Sequence, residues 1–261
     1  MFTLTRTVRF AVSCAPDAGG ASTNSYAGVP AMRGLGAHYE LDLSCRGAPD
    51  PVTGYVVSIA DLDRAAREHG APIIARAFRE APATEPSALL TEVAPAIDAV
   101  LAPLGARLTS LRWRLSPFYS VGMDTESPGS VVLRQRFEFA AAHRLHTPAL
   151  SDEENRRVYG KCNNPSGHGH NYVVEPAVRT APGAFGLPEL ERLTKELVID
   201  RFDHKHLNTD LDDFAGEVPS VEHIARRCYD LLADGVRAGG ATLEGVSVWE
   251  TEKTSCTYAP S

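Results

Sequence analysis

The chain has 261 residues, 43% of them hydrophobic and 23% charged, an ordinary globular mixture sufficient for one large or two small domains. Its 26 Lys and Arg against 33 Asp and Glu give a net charge of −7, which argues against a generic binder of phosphate backbones while leaving room for a local basic pocket. There is no uninterrupted apolar run of about 18 residues, no basic and apolar leader over Met1–Arg6, and no disulfide framework in five scattered cysteines (Cys14, Cys45, Cys162, Cys228, Cys256). The expectation is a soluble, cytoplasmic chain with neither a nucleic-acid nor a membrane partner.

In chain order, Thr3–Ser13 reads as a strand, followed by a loop and a second strand over His38–Ser44. Ile59–His69 and Ser87–Leu101 read as helices, and Leu108–Leu115 and Phe118–Gly122 as strands. Residues 122–130, rich in turn formers, read as a linker. Beyond it the same order returns. Val131–Phe139 has a strand pattern, a polar loop runs from His146 to Ser166, and Asn171–Glu175 reads as the next strand. Pro188–Phe202 carries Leu190, Leu193, Leu197 and Val198 at helical spacing. Pro219–Leu232 carries Val221, Ile224, Cys228 and Leu231 on one face, with Ser220 suited to cap it. Val246–Trp249 and Ser255–Tyr258 close as a hairpin.

Local matches tie the halves together. Gly34-Leu35-Gly36-Ala37-His38-Tyr39 resembles Gly167-His168-Gly169-His170-Asn171-Tyr172, 133 residues on, and Pro86-Ser87 resembles Pro219-Ser220 at the same offset. Trp113 resembles Trp249 at a slightly larger one. Three matches in one order point to a ββααββ duplication. The expected division is residues 1–121, a linker over 122–130, and residues 131–261.

Histidine is unevenly placed: seven of nine lie between His143 and His223. His168 and His170 open a strand two residues apart, so both imidazoles share a face. His143 ends Phe137-Glu138-Phe139-Ala140-Ala141-Ala142-His143, whose alternate residues form one face of a strand. If those strands pair, three imidazoles and an open position make a catalytic metal site, zinc being preferred over iron, copper or nickel. Cys162, in a polar Asn-rich loop six residues before His168, reads either as a fourth ligand or as a base or nucleophile beside the metal. A loop can bring adjacent Asp203 and His204 together, which would fix the imidazole tautomer. On spacing alone, His146 and His206 read as surface groups, Asp210, Asp212 and Asp213 as a solvated acidic loop, Glu250 as an edge charge, and Glu222 as a helix-dipole partner.

The segments Phe139-Ala140-Ala141-Ala142-His143-Arg144-Leu145, Glu153-Glu154-Asn155 and Tyr159-Gly160-Lys161-Cys162-Asn163-Asn164-Pro165-Ser166-Gly167-His168-Gly169-His170-Asn171-Tyr172 strongly resemble the 6-pyruvoyltetrahydropterin synthase family, which includes the 6-carboxytetrahydropterin synthases of queuosine biosynthesis. Asp203-His204-Lys205-His206-Leu207-Asn208, Pro219-Ser220-Val221-Glu222 and Trp249-Glu250-Thr251 follow in family order, so the resemblance covers essentially all of residues 131–261. It implies an α+β tunnelling fold, ββααββ with antiparallel sheets and helices on one face, whose barrel is completed by oligomerisation. It implies Zn2+ on His143, His168 and His170. It implies Cys162 as proton-abstracting base, Asp203 and His204 as the second proton relay, and Glu250 as a pterin-gripping carboxylate grouped with that relay. Glu222 is implied as a further pterin contact.

The implied substrate is 7,8-dihydroneopterin triphosphate. The Cys-x5-HGH spacing and the Cys-Asn-Asn-Pro block resemble the 6-pyruvoyl-forming branch; a 6-carboxy-forming enzyme and a non-catalytic pterin-binding assembly protein are the alternatives. The first half offers Leu35 and Ala37 where the second has His168 and His170, Leu89 where it has Glu222, and Arg114 beside Trp113. It is expected to be a repeat without zinc or pterin activity, and a homotrimer of two-repeat chains is favoured. Arg144 and Lys161 are candidates for the triphosphate.

Overall fold

The computed structural model describes residues 1–14, 26, 28–32 and 34–260. The loop expected after the first strand therefore lies largely outside the described residues. The chain divides into two compact units, residues 1–133 with 180–186, and residues 134–179 with 187–261.

In the first unit β1 (Phe2–Ser13), β2 (Gly36–Gly47), β3 (Arg107–Arg114) and β4 (Tyr119–Asp124) form an antiparallel meander. Between β2 and β3 the chain is helical: α1 (Ile59–Ala65) runs through a π-helical turn at Ala66–Gly70 into α2 (Ala71–Glu80), and α3 (Pro86–Leu101) follows. One sheet face is apolar, with Leu41, Leu43, Cys45 and Leu111 fully buried. The strand period of two sends Thr7, Asp42 and Arg114 to the other face, where Asp42 accepts from Thr7 at 2.6 Å and from Arg114 at 2.7 Å. Pro86–Leu104 is long and apolar enough by composition to cross a membrane. Its Leu90, Val93, Ile97 and Leu101 are buried inside the protein, and its Asp98 accepts the backbone N–H of Leu108, which is how a core helix behaves.

β5 (Val131–Gln135) straddles the division. The second unit holds β6 (Phe137–His143), α4 (Asp152–Tyr159), β7 (His168–Thr180), α5 (Leu187–Thr194), α6 (Asp200–Phe202), β8 (Lys205–His206), α7 (Val221–Ala238), β9 (Thr242–Thr251) and β10 (Thr254–Tyr258). A second π-helical turn, Lys195–Ile199, joins α5 to α6. β7 pairs with β6 on one side and β9 on the other, both antiparallel; β10 extends β9, and β8 adds a short parallel edge to β6. Phe139 stacks on Tyr172 at 5.1 Å between ring centroids and meets Phe202 at 5.8 Å, and the α7 residues Ile224, Ala225, Cys228 and Leu232 are also buried.

Several expectations are revised. The strand expected over 131–139 breaks at Arg136 into β5 and β6, and β4 runs to Asp124, into the expected linker. The loop over 146–166 contains α4, opened by a capping box in which Ser151 and Glu154 bond reciprocally. Asp213 is buried and paired with Arg201 at 2.8 Å, so the acidic run is not wholly a solvated loop. The tryptophan match is out of phase. Phe10 pairs with Tyr39 in the first unit and Phe139 with Tyr172 in the second. In that register Trp113 lies opposite Leu41, whereas Trp249 lies opposite Val173, the partner of Glu138 rather than of a core residue. Arg114, not Trp113, holds the place of Trp249, and the next step along puts Leu115 at the place of Glu250.

Candidate metal centre

Strand pairing assembles the cluster. His143 ends β6 directly opposite His168, the first residue of β7, and His170 follows on the same face. The ring centroids are 4.4, 5.2 and 4.9 Å apart around the triangle, and one ligating atom from each residue lies within 4.8 Å of the others. The chain reaches this point through Gly167, whose φ of +71° suits glycine. A Cβ there would stand 2.7 Å from His206 Nε2 and 3.0 Å from the His143 carbonyl, so His206 packs against the turn instead of simply facing solvent.

His143 is fully buried, and its Nδ1 lies 2.7 Å from the carbonyl of Pro219. A carbonyl can only accept, so the proton belongs on Nδ1 and Nε2 carries a bare lone pair. The hydroxyl of buried Tyr172 lies 3.3 Å from the same Nδ1. Burial pushes the His143 pKa down to about 4, and burial followed by the neighbouring His170 lowers that of His168. Both rings are therefore held in the neutral, ligating form. His143 Nε2 lies 3.0 Å from His168 Nε2, and His170 Nε2 is buried without a hydrogen-bond partner. Converging imidazole nitrogens, with His170 Nε2 unsatisfied among the described residues, are what a first-row cation satisfies, so the residues fit a metal ion. Glu250 Oε1 stands 3.3 Å from His143 Nε2 and 3.6 Å from His170 Nε2, which removes it from the role of edge charge.

Cys162 lies half-buried in the 3-10 turn Gly160–Asn163, outside the three-histidine group. Its carbonyl accepts the N–H of Leu145 at 2.9 Å. Asn163 donates to the Leu145 carbonyl at 2.7 Å and Arg144 donates to the Asn163 carbonyl at 3.2 Å, strapping the cysteine turn to the residues just after His143. Upstream, buried Asn155 holds Thr147, Leu150 and Ser151 through four backbone contacts.

Asp203 Oδ2 lies 2.8 Å from His204 Nδ1, and its Oδ1 accepts the N–H of Ala140 at 2.8 Å. The Ala140 N–H, then His204, hold the Asp203 carboxyl below the usual range. His204 adopts φ +58°, a strained conformation for a side-chain-bearing residue, with its ring 83% exposed. It shares a cavity of about 800 Å3 with His170, Asn171, His206 and Asp210; Cys162, Glu222 and Glu250 lie outside that lining. Glu222, in the first turn of α7, is lowered by the Ser220 hydroxyl and then by its own backbone N–H. The Pro219 carbonyl and Tyr172 are site residues that sequence reading missed. Tyr172 had a signal, lying two residues beyond His170 on one strand face; a backbone carbonyl has none.

The matching register positions of the first unit hold no such centre. Cys14, whose N–H donates to the Leu35 carbonyl, stands where His143 stands, and Leu35, Ala37 and Leu115 replace His168, His170 and Glu250. Gly34 has φ +72°, as Gly167 has +71°, but a Cβ on it would meet nothing within 4 Å among the described residues. Tyr39, Leu89, Trp113 and Leu115 instead line an apolar cavity of about 240 Å3.

The fold and site together define an α+β protein with a three-histidine centre able to hold a metal ion. The chain belongs to the 6-pyruvoyl tetrahydropterin synthase family, whose family model matches residues 132–261. It is 40% identical over 125 residues to the 6-pyruvoyl tetrahydrobiopterin synthase of Poecilia reticulata, covering 46% of this chain and 84% of the relative. The Homo sapiens protein of the same name is 38% identical over 144 residues, covering 52% of this chain and 98% of the relative. The solved 6-pyruvoyl tetrahydropterin synthase of Caenorhabditis elegans shares 35% identity, with a TM-score of 0.48 over 51% of this chain and 96% of that one.

Proposed function

We propose that this protein is a zinc-dependent synthase converting 7,8-dihydroneopterin triphosphate to 6-pyruvoyl-tetrahydropterin with loss of triphosphate. The observation that carries the reading is the convergence of His143, His168 and His170 inside the family-matched segment, with the neutral tautomer of His143 set by Pro219. Three imidazoles match the donor set of catalytic zinc sites. Bound there, zinc supplies polarisation of the substrate's side-chain oxygens, which makes the neighbouring carbon protons easier to remove.

The chain's own residues do the rest. Cys162, held against the end of β6, takes a proton from the substrate side chain. His204, oriented by Asp203, handles the second proton, and the Asp203 contact favours the tautomer with its proton on Nδ1. Glu250 accepts N–H groups from the guanidine-like edge of the pterin, and Glu222 adds a second carboxylate. His204 lines a cavity that Cys162 and Glu250 do not, which supports an active site completed between copies of the chain.

Residues 1–121 and 131–261 are two copies of one ββααββ plan, joined through 122–130, the first without zinc or pterin chemistry. Support comes from the shared Phe–Tyr pair, the two positive-φ glycines and the parallel order of elements. A homotrimer would then supply six repeats for barrel closure. Incubating zinc-loaded protein with 7,8-dihydroneopterin triphosphate tests the activity: triphosphate release with a 6-pyruvoyl product is expected. Acetaldehyde release with a 6-carboxy product, which the relatives' names do not favour, or tight pterin binding without turnover, would overturn it.

A further inference from the structure

The Glu250 carboxylate is aimed at the imidazole nitrogens of the metal centre. Its Oε1 lies 3.3 Å from His143 Nε2 and 3.6 Å from His170 Nε2, and His143 Nε2 lies 3.0 Å from His168 Nε2. Donor atoms bound to a tetrahedral zinc at about 2.0–2.1 Å are separated by about 3.3 Å along each edge. These distances bracket that edge.

The chemistry of the facing atoms is stronger than the lengths. The Pro219 carbonyl, 2.7 Å from His143 Nδ1, needs the ring proton there, so His143 Nε2 presents a lone pair. A carboxylate oxygen also presents only lone pairs. Two acceptors at 3.3 Å in a largely buried site repel unless a cation lies between them. His170 Nε2, buried and without a hydrogen-bond partner, faces the same oxygen.

We propose that Glu250 is a displaceable fourth metal ligand: it occupies the open coordination position of the His143–His168–His170 centre in the substrate-free protein and yields that position when a pterin arrives. The same carboxylate then becomes free to accept the pterin's N–H groups, so metal access and ring recognition are exclusive states of one side chain. This deepens the proposed function and rests on its metal site. In the resting state Glu250 closes the centre against adventitious ligands; on binding, the two changes occur together.

Metal binding measured without turnover tests this. Zn2+ affinity, by competition with a chromophoric chelator, should fall at least tenfold in Glu250→Gln, where a neutral amide replaces the carboxylate. Glu222→Gln, which alters the other proposed pterin carboxylate, should keep wild-type affinity. In Co2+-substituted protein, the visible d–d spectrum of Glu250→Gln should differ from wild type. Adding 7,8-dihydroneopterin should move the wild-type spectrum away from its resting form and leave little further change in the variant. Glu250→Asp, keeping the charge on a shorter arm, should bind Zn2+ with intermediate affinity and serves if the amide variant does not fold. Wild-type affinity and spectrum in both Glu250 variants overturn the proposal while leaving the three-histidine centre intact. A wild-type protein that takes up neither Zn2+ nor Co2+ overturns the metal reading of the proposed function itself.

Discussion

Where β6 ends in His143, opposite His168, β1 gives way to Cys14, opposite Leu35. The two places share a Phe–Tyr cross-strand pair four residues back and a positive-φ glycine at the entry to the second strand. They differ in what fills the space. In the second unit Gly167 is hemmed in by His206 and the His143 carbonyl, and the His143 ring is held by the Pro219 carbonyl. In the first, Gly34 has no such neighbour among the described residues, and Tyr39, Trp113, Leu89 and Leu115 line an apolar cavity. Backbone geometry of this kind needs no metal chemistry, because strand pairing and burial stabilise it without reference to a metal, and the pairing itself does not dictate which side chains stand at the strand ends.

The largest expected effect breaks the comparison outright. His168→Ala should reduce metal content from about one ion per chain to none and lower turnover by about a thousandfold or more. Leu35→Ala should leave metal content unchanged. Elemental analysis beside activity checks both, and two ions per chain in the unaltered protein would show that the first unit is not an empty counterpart.

Cys162→Ala should keep the metal and lower turnover by about 100- to 10,000-fold, as expected for a proton-transfer group. Cys14→Ala should change neither metal content nor turnover. Release of the metal by Cys162→Ala would make the cysteine a ligand instead of a base.

Asp203→Asn should cut turnover by about 100-fold through His204, with metal content preserved and a smaller change in KM than in kcat. Rescue of kcat by Asp203→Glu, which restores a carboxylate beside the ring, separates a relay role from a structural one.

The smallest effect sharpens the comparison most. Gly167→Ala should cost about 2–4 kcal/mol, from its positive φ together with the His206 and His143 contacts, and should weaken metal binding as the turn shifts. Gly34→Ala meets no described residue within 4 Å, so the conformational penalty of about 1–2 kcal/mol is expected to dominate. Chemical denaturation of both variants, with chelator competition, reads the difference.

The strand and helix order of both units was legible because burial imposes a period on sequence: Phe139, Ala141 and His143 alternate onto one face, and Val221, Ile224 and Cys228 recur along α7. α4 was not, since its buried residue is the polar Asn155 while apolar Val158 lies exposed, which leaves no apolar stripe to read, and its signal lay in the Ser151–Glu154 box. The tryptophan match misled because identity of residue type ignores strand parity; one residue of slip moves a side chain to the opposite face.

By itself the amino-acid sequence determined the family, the three metal-competent histidines and the imbalance between the halves, because those depend on residue type and short spacing. Only the tertiary structure decided how the groups face one another. It set the His143 tautomer through a carbonyl 76 residues away, brought Asp203 onto His204 around a positive-φ backbone, and aimed Glu250 at the imidazole nitrogens. Those contacts join residues distant in the chain or depend on backbone angle, and neither leaves a mark on local pattern.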